Sequence, residues 1–323
     1  MERIGSCHPW NDNTYDPAYY KVVFFSSASI WINFLEQLNL DKRFEVVGVV
    51  TQPDKPSWRG QKTQSNIIKQ TAKKLWITTV LTPEKINPEK SDEWKTFQQK
   101  LQQLDADFFV VIAYGKIIPK TILDIPQIAP VNVHGSILPK YRGASPLQSV
   151  FLNKEEKTGI SIMKMNEKMD QGNIIKIKEI DIDFHWTVKE LVDKINEVWP
   201  AFLAETLYQF WKWQTMDVPQ DAKKAIYCKK IQKQDWIIEV KNDSLEDVYS
   251  KYQAYYFWPK IFFYYNDKKF IIEELQINKD IFEKVKNEPI LQNWKLNLAI
   301  ESIKIKPEGK KPLSRNDFAN WYL

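Results

Sequence analysis

The chain has 323 residues, 43% hydrophobic and 27% charged, enough length for two domains and enough apolar material for a sizeable core. No apolar run approaches the roughly 18 residues of a membrane span, and two distant cysteines with three histidines argue against a disulfide framework or a zinc set, so a reducing cytoplasm is expected. The net charge of +5 is uneven: residues 221–323 hold 19 Lys+Arg against 15 Asp+Glu, a basic region able to interest a polyanion.

Residues 1–20 carry acids and turn formers without an apolar stretch, which reads as an extension ahead of the folded body. KVVFFS at 21–26 predicts a first strand, 30–40 a helix, FEVVGVVT at 44–51 a second buried strand and 66–75 another helix. A polar amphipathic helix over 94–104 precedes ADFFVVIA at 106–113, whose unbroken apolar run suits the centre of a parallel sheet. Strands at 130–134 and 159–165 flank a helix at 145–152, and 173–182 alternates apolar and polar residues as an outer strand does. Strands alternating with helices predict an α/β, Rossmann-like, doubly wound and mostly parallel sheet over 21–206. The stretch 187–213 is helical with an interruption expected at Pro200, and a linker over 207–224 contains Pro219. From 225 to 323 short strand-like runs separated by turns predict a small β-barrel. The first strand is followed by FFSSAS, not by a G-x-G-x-x-G turn, and no phosphate loop of the G-x-x-x-x-G-K type occurs, which disfavours dinucleotide binding and nucleotide hydrolysis.

The chemistry concentrates in VNVHGSILPKYRGASP at 131–146 and TGISIMKMNEKMDQG at 158–172. Asn132 and His134 stand two apart at the exit of a strand, so their side chains share a face. Asp170 follows the next strand, and ligands of open α/β sheets bind beyond the carboxyl ends of strands. A neutral donor, a titratable ring and a carboxylate thus converge on one spot, and no Ser–His–Asp or Cys–His arrangement competes with them.

His134, Ser136, Leu138, Pro139 and Gly143 form an H-x-S-x-L-P-x-x-x-G pattern that resembles the folate-dependent formyltransferases, with Asn132 and Asp170 at matching positions. The resemblance implies direct formyl transfer from 10-formyltetrahydrofolate to an amine through a tetrahedral intermediate, with no metal. Asn132 would donate to the developing oxyanion, His134 would donate or shuttle a proton, and Asp170 would orient the ring and take the amine proton. Ser136, Ile137, Leu138 and Pro139 would line the folate pocket. Family members act on a ribonucleotide, on amino sugars or on methionyl-tRNA. TQPDKPSWRGQK at 51–62, KPEGKKPLS at 306–314 and YQAYYFWP at 252–259 resemble segments of those acting on methionyl-tRNA. That implies initiator Met-tRNA as acceptor, Arg59 as its acceptor-arm contact, and an OB-like C-terminal domain over 225–323. Lys223, Lys224, Lys229 and Lys230 are the candidate phosphate contacts. A monomer is expected, and an amino sugar or other small amine is the alternative acceptor.

The chain carries 9 Gly and 13 Trp, which together match the roughly 23 glycines that the usual frequency of about 7% gives for this length. Trp58, Trp76, Trp186, Trp199, Trp236, Trp294 and Trp321 fall where the family pattern has Gly, and Trp31 and Trp213 extend the set. Trp258 falls where the pattern has Trp. A gene that reads UGA as glycine, translated with UGA as tryptophan, accounts for this distribution, and it predicts several of these indoles to be unusually exposed.

Overall fold

The computed structural model describes residues 18–56, 63–64, 66–86, 92–292 and 295–322. The predicted extension therefore lies almost wholly outside the described residues, as do Trp58, Arg59 and Trp294.

The first part of the chain alternates strands and helices. In order, these are β1 (Tyr20–Ser26), α1 (Ile32–Leu40), β2 (Phe44–Val50), α2 (Ile67–Lys74), β3 (Val80–Leu81), α3 (Asp92–Gln103), β4 (Phe108–Ile112) and β5 (Ala129–His134). There follow β6 (Arg142–Gly143), α4 (Pro146–Leu152), β7 (Lys157–Lys164), β8 (Ile174–Asp181) and the long α5 (Val188–Trp211). A seven-stranded sheet forms in the order β8-β7-β5-β4-β1-β2-β3. Its five strands from β5 to β3 are parallel, while β7 and β8 are antiparallel to their neighbours. The unbroken apolar runs of β1 and β4 are buried on both faces because helices cover both sides. One face packs under α1 and α5, the other under α3.

Helix α5 differs from expectation, since it passes through Pro200 without ending and reaches Trp211, inside the expected linker. A mid-helix proline costs about 3 kcal/mol, and here ten residues of the helix, from Val188 to Leu207, are buried against the core. A capping box of Thr187 with Glu190 fixes its start.

The C-terminal part holds β9 (Tyr227–Cys228), α6 (Leu245–Ala254), β10 (Phe262–Tyr265), β11 (Lys268–Ile277), α7 (Lys279–Val285), β12 (Ile300–Pro307) and α8 (Arg315–Tyr322). Strands β10, β11 and β12 make an antiparallel sheet over an apolar core of Phe263, Phe270, Ile272, Ile303, Ile305 and Phe318. The three helices were not foreseen, although Ser244 and Asn278 cap α6 and α7 with their side chains. Among the described residues no helix is long and apolar enough to cross a membrane.

Candidate active site

Strand β5 carries Asn132 and His134 to its carboxyl end on one face of the sheet. Asn132 is half-buried and its amide makes no hydrogen bond among the described residues. His134 is buried, and its Nε2 lies 2.9 Å from the carbonyl oxygen of Tyr141. A carbonyl only accepts, so Nε2 carries a proton. The other ring nitrogen, Nδ1, faces Oδ1 of Asp170 at 3.6 Å. In the neutral ring this is a lone pair facing a carboxylate, so a proton delivered between the two is held by both. Asn132 and His134 thus sit at the carboxyl end of β5, as the sequence places them, whereas Asp170 does not meet them from a strand exit: β7 runs antiparallel with its carboxyl end beside the start of β5, and the turn after it brings Asp170 back to His134.

The loop after β5 supports that pair. Oδ2 of Asp170 accepts the N–H of Gly143 at 2.8 Å. Gly143 has φ of +126°, and a Cβ there would lie 2.2 Å from the Cys228 carbonyl oxygen, so only glycine lets β6 approach β9 this closely. Tyr141 and Asp170 themselves adopt left-handed backbone at φ of 60° and 53°, a conformation that costs a non-glycine residue energy and recurs at functional sites. The Tyr141 hydroxyl donates to Glu155 at 2.6 Å. Burial and this carboxylate together push the phenol well above its usual range, so Tyr141 stays a neutral anchor.

Of the four expected folate-pocket residues, two serve the loop's own structure. Ser136 and Leu138 are buried; the Ser136 hydroxyl donates to the Lys140 carbonyl at 2.6 Å, and the Leu138 N–H donates to Ser161 at 2.9 Å. Ile137 and Pro139 stay partly exposed.

The segment after α5 runs along this loop. Strand β9 pairs with β6 in parallel, Arg142 N–H donates to the Ile226 carbonyl at 2.9 Å, and the Ile226 N–H donates to the Pro139 carbonyl at 3.2 Å. Ser145 donates through its hydroxyl to the Lys229 carbonyl. Lys223, Lys224, Lys229 and Lys230 flank this seam and are all exposed. Lys224 approaches Asp221 at 3.9 Å, while the other three make no ion pair among the described residues. The roles of the Tyr141 carbonyl and of Gln220, which bridges this segment to the Asp170 turn, were not foreseen. Neither has a sequence signature, since the partner of Gln220 lies 50 residues away.

The formyl transferase family model matches residues 20–207, and the model of the formyl transferase C-terminal domain matches residues 230–323. A methionyl-tRNA formyltransferase of Caldicellulosiruptor saccharolyticus is 35% identical over 309 residues, covering 93% of this chain and 96% of its own. Among solved structures, methionyl-tRNA formyltransferase from Clostridium thermocellum superposes with a TM-score of 0.56 at 17% identity, over 80% of this chain and 94% of that one. HypX from Aquifex aeolicus, in complex with tetrahydrofolic acid, gives 0.57 at 12% identity over 92% of this chain and 46% of that one. These two likenesses are of fold. The sequence matches over both parts of the chain establish that it belongs to the formyl transferase family.

Proposed function

We infer that this protein formylates the α-amino group of methionyl initiator tRNA, acting in the cytoplasm as a monomer with 10-formyltetrahydrofolate as donor. The observation that carries the acceptor is the match to a methionyl-tRNA formyltransferase along 96% of that enzyme's length, C-terminal domain included. The seam of exposed lysines beside the catalytic loop supports it, because a polyanion lying there would reach the site.

The donor, when bound, supplies an electrophilic formyl carbon. Partly exposed Ile137 and Pro139, and an Asn132 amide with no hydrogen bond among the described residues, suit a flat co-substrate with one polar reacting group. As the amine attacks, the formyl oxygen gains charge, and the Asn132 NH2 is placed to donate to it without adding a charge of its own. The amine must lose a proton in the same step. Asp170 and the facing Nδ1 of His134 receive it between them, and the Tyr141 carbonyl keeps the Nε2 proton from leaving on the other side. The proton taken from the amine and held between Asp170 and Nδ1 then passes to the departing folate nitrogen as the new amide is released.

Labelled 10-formyltetrahydrofolate, offered initiator Met-tRNA and an amino sugar in parallel, tests the reading. Label is expected on Met-tRNA alone. Transfer to the sugar at a comparable rate would point to a small-amine enzyme.

A further inference from the structure

The turn that presents Asp170 is held only partly by its own bonds, from the Gln171 N–H to the Lys168 carbonyl at 3.3 Å and from the Lys168 N–H to Asn166 Oδ1 at 2.9 Å. Asp170 sits at φ of +53°, a conformation that favours relaxation of a non-glycine residue to negative φ. Two carbonyls of that turn, those of Asp170 and Gly172, point towards the segment after α5. Both are bound by one side chain: Nε2 of Gln220 donates to Asp170 O at 3.0 Å and to Gly172 O at 2.7 Å. The other end of the same amide is fixed too. Its Oε1 accepts from Nε and Nη2 of Arg142 at 3.0 and 2.8 Å, and Arg142 is 3% exposed. Since a guanidinium only donates and carbonyls only accept, the amide fits in one orientation, its oxygen on Arg142 and its NH2 on the turn.

We propose that Gln220 is a positioning residue for formyl transfer: it holds the Asp170 turn left-handed so that the carboxylate faces His134. It lies outside the strand and the turn that carry the reacting groups, and among the described residues it hydrogen-bonds neither the His134 ring nor the Asp170 carboxylate. It therefore acts through the turn. The proposal rests on the proton-accepting role of Asp170 argued above.

The test uses the full chain with Gln220→Met, nearly the same shape without the polar ends, and Gln220→Glu, which sets an oxygen against two carbonyls. Single-turnover formylation and steady-state constants are measured in the wild-type and Asp170→Asn backgrounds, with melting temperatures alongside. Both variants are expected to lose about tenfold or more in kcat, with KM for Met-tRNA and for the folate changing by less than about threefold. In the Asp170→Asn background the same substitutions are expected to change kcat by less than about threefold, because the group they position is already gone. A kcat preserved in both single variants would overturn the proposal, and so would an equal loss in both backgrounds. Asp170→Asn retaining wild-type kcat on its own would overturn the role of Asp170 and this proposal with it. A silent Gln220 beside an inactive Asp170→Asn would overturn the proposal alone.

Discussion

The hydrogen bond from His134 Nε2 to the Tyr141 carbonyl decides which ring nitrogen is left for chemistry, and it leaves Nδ1 beside Asp170. Asn132→Ala is expected to lower kcat by about 100- to 1000-fold, the loss typical of a removed oxyanion donor. His134→Ala and Asp170→Ala are each expected to lower it by about 100- to 10,000-fold, as general acid–base groups do. Activity within a few-fold of wild type in any of the three would remove that residue from the mechanism. The tryptophans raise a different question at the same scale. Trp76 follows the cap of α2 at φ of 61° and is 90% exposed; Trp213 follows the cap of α5 at φ of 57° and is 65% exposed. Both occupy the position after a helix end where glycine is favoured, and a bulky residue there costs roughly 1–2 kcal/mol of backbone strain. The expectation of exposed indoles holds at these two and fails at Trp199, which is 1% exposed inside α5, and at Trp31, which is 7% exposed, while Trp186 and Trp236 are half-buried. Trp199 packs within the core cluster under α5. Peptide mass spectrometry of protein from its own cells is expected to show glycine masses at Trp76 and Trp213 and a tryptophan mass at Trp258. Tryptophan at the first two would end the recoding explanation.

Elements with strong local patterning were readable from the chain, and those held by distant partners were not. The buried strands β1, β2 and β4 announce themselves by continuous apolar runs, and β5 and β7 by the polar residues that end them. Helix α5 was readable but its continuity was not, because the burial that offsets Pro200 is tertiary. The Asn132–His134 pair was readable since strand periodicity puts both on one face; Asp170 was named by the family pattern, and its approach was not fixed by strand direction, because β7 runs antiparallel and only the turn after it brings the carboxylate back. The Gln220 clamp was not readable, since nothing in the linker's composition points to a turn 50 residues earlier. At the opposite, amino-terminal end of the sheet, Asp107 is 8% exposed just before β4, with its Oδ2 accepting the Lys21 N–H at 2.8 Å. Burial, reinforced by nearby Asp105, outweighs the hydrogen bond and raises the carboxyl pKa above its ordinary value. Folding therefore favours the protonated acid. Its contribution to stability is fully present below the unfolded carboxylate pKa and is lost as pH rises through the raised folded value. Asp107→Asn keeps an acceptor for Lys21 and removes the charge, so it is expected to raise the melting temperature at neutral pH and to leave it unchanged near about pH 3. Equal shifts at both pH values would show that charge is not the cause.

Over the whole molecule, the segment from 220 to 230 ties the basic C-terminal part to the catalytic loop, with β9 paired to β6 and lysines on either side. A tRNA phosphate backbone bound along that seam would meet Lys223, Lys224, Lys229 and Lys230 within one short stretch. Each neutralised phosphate releases condensed counterions, so four such contacts predict a fall in tRNA affinity of roughly 50- to 150-fold between about 50 and 200 mM salt. Replacing all four with Glu is expected to raise the KM for Met-tRNA and to flatten that salt dependence. The KM for the folate should stay within about twofold, because Ile137 and Pro139, the partly exposed residues proposed to meet it, bear no charge to screen. These lysines are exposed, and three make no ion pair among the described residues, so their replacement removes no ion pair there except the exposed 3.9 Å approach of Lys224 to Asp221. A loss of activity with the melting temperature unchanged then reports on tRNA alone. Salt-indifferent binding, or a fourfold-substituted enzyme with wild-type KM for Met-tRNA, would move the acceptor to another face of the protein.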